Sequence, residues 1–86
     1  MTVLKVGKNS EVKSVAGAIA GEIRANGSTQ VMAIGPNAVN QAVKAIACAA
    51  SFAKSDDYSI TCLPEFGTAE IDGKTRSSIL FTVSKV

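Results

Sequence analysis

GPNAVNQAVKAIACAASFAK, residues 35–54, decides how the rest of the chain is read. On a helix at 100° per residue, Asn37, Asn40, Gln41, Lys44, Cys48 and Ser51 fall on one narrow stripe. Nearly everything else is Ala, Val, Ile or Phe, so the apolar arc spans roughly 220° of the circumference, against the ~100° that a helix resting on one sheet requires. The surplus predicts two apolar contacts: one face on the protein's own sheet, another on a partner subunit, with Val39, Val43, Ile46 and Ala50 on the outlying side. The alternative is the central helix of a monomer, with loops over its second face. Gly35-Pro36-Asn37 turns into this helix, and Pro36 suits its entry because the missing N–H would have had no intrahelical partner.

Working outward, 86 residues make one domain, 1–86, small enough to be marginal alone. With no Trp and 5% aromatics, its core must come from Val, Ile, Leu and Ala. Val3–Val6 reads as a strand closed by Gly7. Lys8-Asn9-Ser10 is a polar loop in which Asn9 or Ser10 is a candidate N-cap. Residues 11–25 read as a helix with Val12, Val15, Ala16, Ile19 and Ile23 as its apolar stripe, ended by Asn26-Gly27. Gly17 and Gly21 lie off that stripe, so either they are tolerated on a solvated face or something approaches closely there. Residues 30–34 are an apolar run consistent with a strand buried on both faces.

After the central helix, Tyr58, Ile60 and Cys62 alternate with Ser59 and Thr61, a strand with one wet face, and Pro64 marks a bend or an edge position. Asp72-Gly73 between Glu70-Ile71 and Lys74-Thr75 signals a tight hairpin. Ile79, Phe81 and Val83 alternate along the last strand. The order β-α-β-α-β-β puts the chain in the α/β class, in the α+β two-layer arrangement: a four-stranded mixed sheet with both helices on one face and the other face relatively open.

Charge and chemistry narrow the function. The net charge is only +2, but residues 1–54 hold six Lys/Arg (Lys5, Lys8, Lys13, Arg24, Lys44, Lys54) against Glu11 and Glu22, while the remainder is acidic in balance. That bias permits an anionic partner. The chain has no His, no Ser-His-Asp or Cys-His set and no Walker A motif, so no catalytic residue is assigned and the chain is not expected to be an enzyme. Cys48 and Cys62 have no metal-like spacing; reduced packing thiols are expected, with no metal and no cofactor. Asp56-Asp57 reads as turn chemistry at a helix end. No apolar run suits a bilayer and no signal peptide is evident, so a cytoplasmic protein without a membrane partner is expected. Two helix N-termini, each with exposed amides, and a hairpin with Lys74 and Arg76 could together track phosphates. Glu70 and Asp72 in the same arm and the lack of a stacking aromatic count against this.

The segments NSEVKSVAGAIAGEIR, VMAIGPNAVNQAVKAIACA and IDGKTRSSILFTV together resemble the bacterial stage V sporulation protein S family over nearly the whole chain. That resemblance implies a fold similar to Alba, the archaeal chromatin protein, and a small protein affecting sporulation or developmental gene expression. It also implies nucleic-acid binding, DNA or RNA. VGKN resembles the basic loop after Alba's first strand, with Lys8 at a phosphate-contacting lysine and Asn9 where a second lysine often stands. GPNAVNQAVK resembles the Alba helix that follows a Gly-Arg turn, with Pro36-Asn37 replacing the basic character there. The Asp72-Gly73 hairpin, with Lys74 and Arg76, resembles the basic arm.

The expected interface is therefore Lys8, Asn9, Lys13, Asn37, Asn40, Gln41, Lys44, Lys74 and Arg76, on a homo-dimer or tetramer that binds nucleic acid. The competing expectation is a structural or protein-interaction module that acts through a partner protein.

Overall fold

The computed structural model describes residues 2–86. Its elements run β1 (Val3–Val6), α1 (Val12–Asn26), β2 (Ser28–Ala33), α2 (Pro36–Ser55), β3 (Ile60–Ile71) and β4 (Lys74–Lys85). The sheet order is β1-β2-β4-β3, with β1 parallel to β2 and the other pairs antiparallel. This is the mixed four-stranded sheet that the order of elements predicts.

Register assigns the faces. Thr29, Val31 and Ala33 pair with Val83, Phe81 and Ile79, and cross-strand partners share a face. All of these are buried except the half-buried Ile79, and apart from Thr29 they form one cluster with Ala16, Ile19 and Ile23 of α1 and Ala38, Ala42, Ala45 and Ala49 of α2. Both helices thus lie on one side. On the other, Gln30 and Met32 pair with Thr82 and Leu80, all half-buried. β2 was expected to be buried on both faces; instead its burial alternates strictly, because no layer covers the second face.

α1 begins one residue later than its candidate caps suggest. Glu11 holds the N-cap position without a side-chain capping bond. Ser10, a candidate cap, spends its hydroxyl differently: Gly7 N–H donates to Ser10 Oγ at 2.9 Å while Ser10 N–H donates to the Gly7 carbonyl at 3.1 Å. Local turn bonding has won over helix capping, as short hydroxyl side chains allow. At the other end Gly27, φ 80°, donates its N–H to the Ile23 carbonyl, the left-handed stop expected of Asn26-Gly27.

Gly17 and Gly21 have open space where a Cβ would stand, with nothing within 4 Å, so no neighbour among the described residues requires them. Gly17→Ala and Gly21→Ala are each expected to stabilise the fold by about 0.5–1 kcal/mol. In a domain of this size that is a rise of roughly 2–8 °C in melting temperature, read by circular dichroism.

β3 departs most from expectation. Rather than a short half-wet strand, it is a twelve-residue edge strand exposed along most of its length. Beyond the pairing of Ala33 with Ile79, β3 and β4 continue without a third strand. Residues 67–78 are thus a two-stranded arm about 20 Å long. Its turn has Asp72 at φ 53° and Gly73 at φ 76°, the two positive φ values that a type I′ hairpin needs.

Candidate nucleic-acid interface

Three features meet at one end of the molecule, where β1, β2 and the arm's root come together. The first is the β1–α1 loop, with Lys8 and Asn9 exposed on the turn closed by Gly7 and Ser10. The second is the N-terminus of α2. Gly35 takes φ 87° there, a conformation that suits glycine, and Pro36 follows at the first helical position with no side chain capping the end. The third is the arm. Its root residue Arg76 borders, with Gly35, Val39, Phe66 and Ile79, an open cavity of about 500 Å³. A second, more apolar cavity of about 290 Å³ lies between the arm's Glu70 and Ile71 and the Lys5 and Gly7 side of β1. The arm therefore abuts both loops.

Gln41 links two of these features. Its Nε2 donates to the Ser10 carbonyl at 2.9 Å, fastening the Lys8 loop to the first turns of α2. One donor of a side chain expected to face phosphate is thus used to position the loop that carries Lys8. Asn37, Asn40 and Lys44 are exposed along the same helix, and Lys13 is exposed near the start of α1. Lys44 lies about 10 Å along α2 from Asn37. Lys74 stands apart, next to the turn at the arm's tip. Lys74 and Arg76, two residues apart, share the helix-free face of the ladder with Leu80 and Thr82. Register places them opposite Ile71 and Ala69, so neither base is matched across the ladder with an acid.

Lys5 was not among the expected residues. It is exposed, pairs with Met32 on the helix-free face and borders the second cavity. Its signal was present in the alternation of Val3-Leu4-Lys5-Val6, which places Lys5 opposite in face to the buried Val6. Phe66 on β3, 89% exposed, was also outside the expected residues.

Neither cysteine is bonded to the other; Cys48 is half-buried and Cys62 exposed. Burial among the neighbouring apolar groups pushes the Cys62 thiol up, which disfavours the nucleophilic thiolate. Among the described residues no cluster of His, Cys, Asp or Glu could hold a metal ion, and no helix is long and apolar enough to cross a membrane.

A sheet ordered β1-β2-β4-β3, two helices on one face and a long β3–β4 arm define an Alba-like α+β protein. The structure is similar to that of Alba from Thermoplasma volcanium, with a TM-score of 0.64 at 17% sequence identity, over 95% of this chain and 98% of that one. At that identity the likeness concerns the fold. Sequence supplies the narrower assignment: residues 2–86 match the stage V sporulation protein S (SpoVS) family, and the chain belongs to it. Membership implies a role connected with sporulation.

Proposed function

We propose that this protein is a small oligomeric nucleic-acid-binding regulator of sporulation or developmental gene expression. It works in the cytoplasm without enzymatic activity and contacts phosphates through Lys8, Lys74, Arg76 and the α2 N-terminus. One observation carries the reading: the Lys8 loop, the uncapped start of α2 and the arm with its two unmatched bases occupy one end of the molecule. Backbone amides at a helix start and cations on a two-stranded arm suit a polyanion whose phosphates repeat along its length. Lys13, Asn9, Asn37, Asn40 and Lys44 flank this end and extend the polar surface onto the helical layer, while Gln41 holds it together. Phe66 is an exposed ring beside this surface, but one ring is no platform for successive bases, so recognition rests on the phosphate backbone.

Fluorescence anisotropy with labelled duplex DNA, single-stranded DNA and RNA at low salt tests this. Binding is expected to weaken with salt, with a slope of about −0.9 per phosphate contact on duplex DNA. No binding to any of the three would sink the reading. Glu70 and Asp72 in the arm favour a second reading, in which the arm docks a protein. A partner recovered from cell extract on the immobilised protein, and retained after nuclease treatment, would support that one instead.

A further inference from the structure

Lys5 is exposed on β1 and has no part in the contacts proposed for Lys8, Lys74 and Arg76. Register fixes where it stands. Lys5 pairs with Met32, Met32 with Leu80, and Leu80 with Glu65. Cross-strand partners share a face, so these four make one row across the helix-free side of the sheet. Along β4, every second side chain returns to that face, which brings Arg76 and Lys74 into line beyond Leu80. Three bases therefore share one face, although they come from β1 and from the arm.

The arm is also turned toward Lys5. β1 and β3 are separated by two strands in the sheet order. Yet one cavity of about 290 Å³ is bordered by Lys5, Met32 and Ile34 on one wall and by Ala69 and Ile71 of β3 on the other. A hollow shared by strands so far apart means that the arm curls over the helix-free face. Ala69 and Ile71 are the cross-strand partners of Arg76 and Lys74, so those two bases lie on the concave side with them. From strand and residue spacings, an untwisted sheet would set Arg76 roughly 17 Å and Lys74 roughly 23 Å from Lys5.

The acids are placed differently. Glu70 borders the cavity too, but its pairing with Thr75 sets it on the opposite face of the ladder from Lys74 and Arg76. Glu65 shares the face with Lys5 but stands on the outer edge strand, three strands away. The rings of the strands, Phe66 and Phe81, pair on the helix side. The concave face thus offers cations on two walls, an apolar floor and no ring. A single strand gains most where rings stack its bases. A duplex presents two rigid phosphate chains across grooves about 6 and 12 Å wide, which cations spread over two walls can meet together.

We infer that a nucleic-acid duplex lies against the helix-free face beneath the arm, with Lys5 as a phosphate contact across from Arg76 and Lys74. This rests on the nucleic-acid binding proposed above and adds to it a residue and the face of the arm that meets the ligand.

Fluorescence anisotropy with a labelled DNA duplex and the matching single strand, each titrated with salt, compares the unaltered chain with Lys5→Ala, Lys8→Ala and Arg24→Ala. Arg24 loses the same charge but is exposed in the last turn of α1, which leads into the start of β2, the end of that strand away from the arm. Lys5→Ala is expected to lower duplex affinity about 8-fold near 0.1 M salt and to reduce the salt slope by about 0.9. Arg24→Ala should leave the slope unchanged. Amine acylation read by mass spectrometry adds a signal that bulk charge does not move: bound duplex should protect Lys5 and leave Lys54 as reactive as in the free protein. All of these side chains are exposed, so circular dichroism should show every variant folded. Binding that depends on Lys8 but not on Lys5, a Lys5 equally reactive with and without duplex, or a preference for the single strand would overturn the inference and leave the functional reading standing. No binding by the unaltered chain would remove both and leave this basic face to an acidic protein partner.

Discussion

The triple variant Lys8→Glu, Lys74→Glu, Arg76→Glu is expected to lose nucleic-acid binding by at least 500-fold near 0.1 M salt. Each phosphate contact on duplex DNA contributes a factor of about 8 at that salt through counterion release, if the slope is −0.9 per contact. Three lost contacts multiply to about 500, and three new carboxylates add repulsion. The salt slope should fall in magnitude by about 2.7. All three side chains are exposed, so the fold should be intact and its melting temperature close to that of the unaltered chain. Net charge is a competing explanation, since the change turns +2 negative. Lys54→Glu separates the two: Lys54 is exposed in the last turn of α2, about 30 Å from the helix's N-terminus. It should cost little if the contacts are local. Equal losses for Lys54→Glu and for any one of the three single changes would mean that overall charge, not the end of the molecule holding Lys8 and the arm, sets affinity.

Which parts of this site could be read from sequence depends on whether the deciding interactions are local. The Asp72-Gly73 turn and the Gly27 stop were legible because their φ values follow from residues adjacent in sequence. The excess apolar arc of α2 was legible too, as a count on a helical wheel. The wheel put Val39, Val43, Ile46 and Ala50 on the outlying side, but it could not show that only alanine positions of this helix are fully buried. That depends on how closely α1 and the sheet approach α2, a tertiary spacing. Pro64 signalled a bend or an edge position for β3, and the edge is what the sheet order gives; its exposure was hidden, because Cys62, Pro64 and Phe66 share the helix side of the sheet but the helix layer stops short of them. Gln41 is the clearest case at the candidate site. It sits on the polar stripe like a ligand-facing amide, and its bond to the Ser10 carbonyl spans 31 positions of sequence, beyond any local signal. Ser10 failed as a cap for the opposite reason, since Gly7, three residues back, competed for its hydroxyl.

The alanine-lined core gives the largest expected stability effect to α1 rather than to the helix that organises the chain. Ile19 is fully buried and is the bulkiest of the fully buried side chains, ahead of Val31, Val83 and Thr29. It belongs to the same core cluster as Ala38, Ala42, Ala45 and Ala49 of α2. Ile19→Ala is expected to destabilise by about 2–5 kcal/mol, because the surrounding backbone cannot collapse fully into the cavity. A domain of this length has in total about 4–13 kcal/mol, so the variant approaches the limit of folding. In urea, with an m-value near 1–2 kcal/mol per molar, the midpoint should fall by about 2 M. Val43→Ala removes a side chain of nearly the same class from the same layer, yet Val43 is half-exposed in the single chain. Its cost should be small at low protein concentration and, if the proposed oligomer forms through this helix, grow with concentration, because association stabilises the folded state by mass action. If the two substitutions cost the same at every concentration, the large side chains of α2 serve the monomer's core and have no second surface to meet.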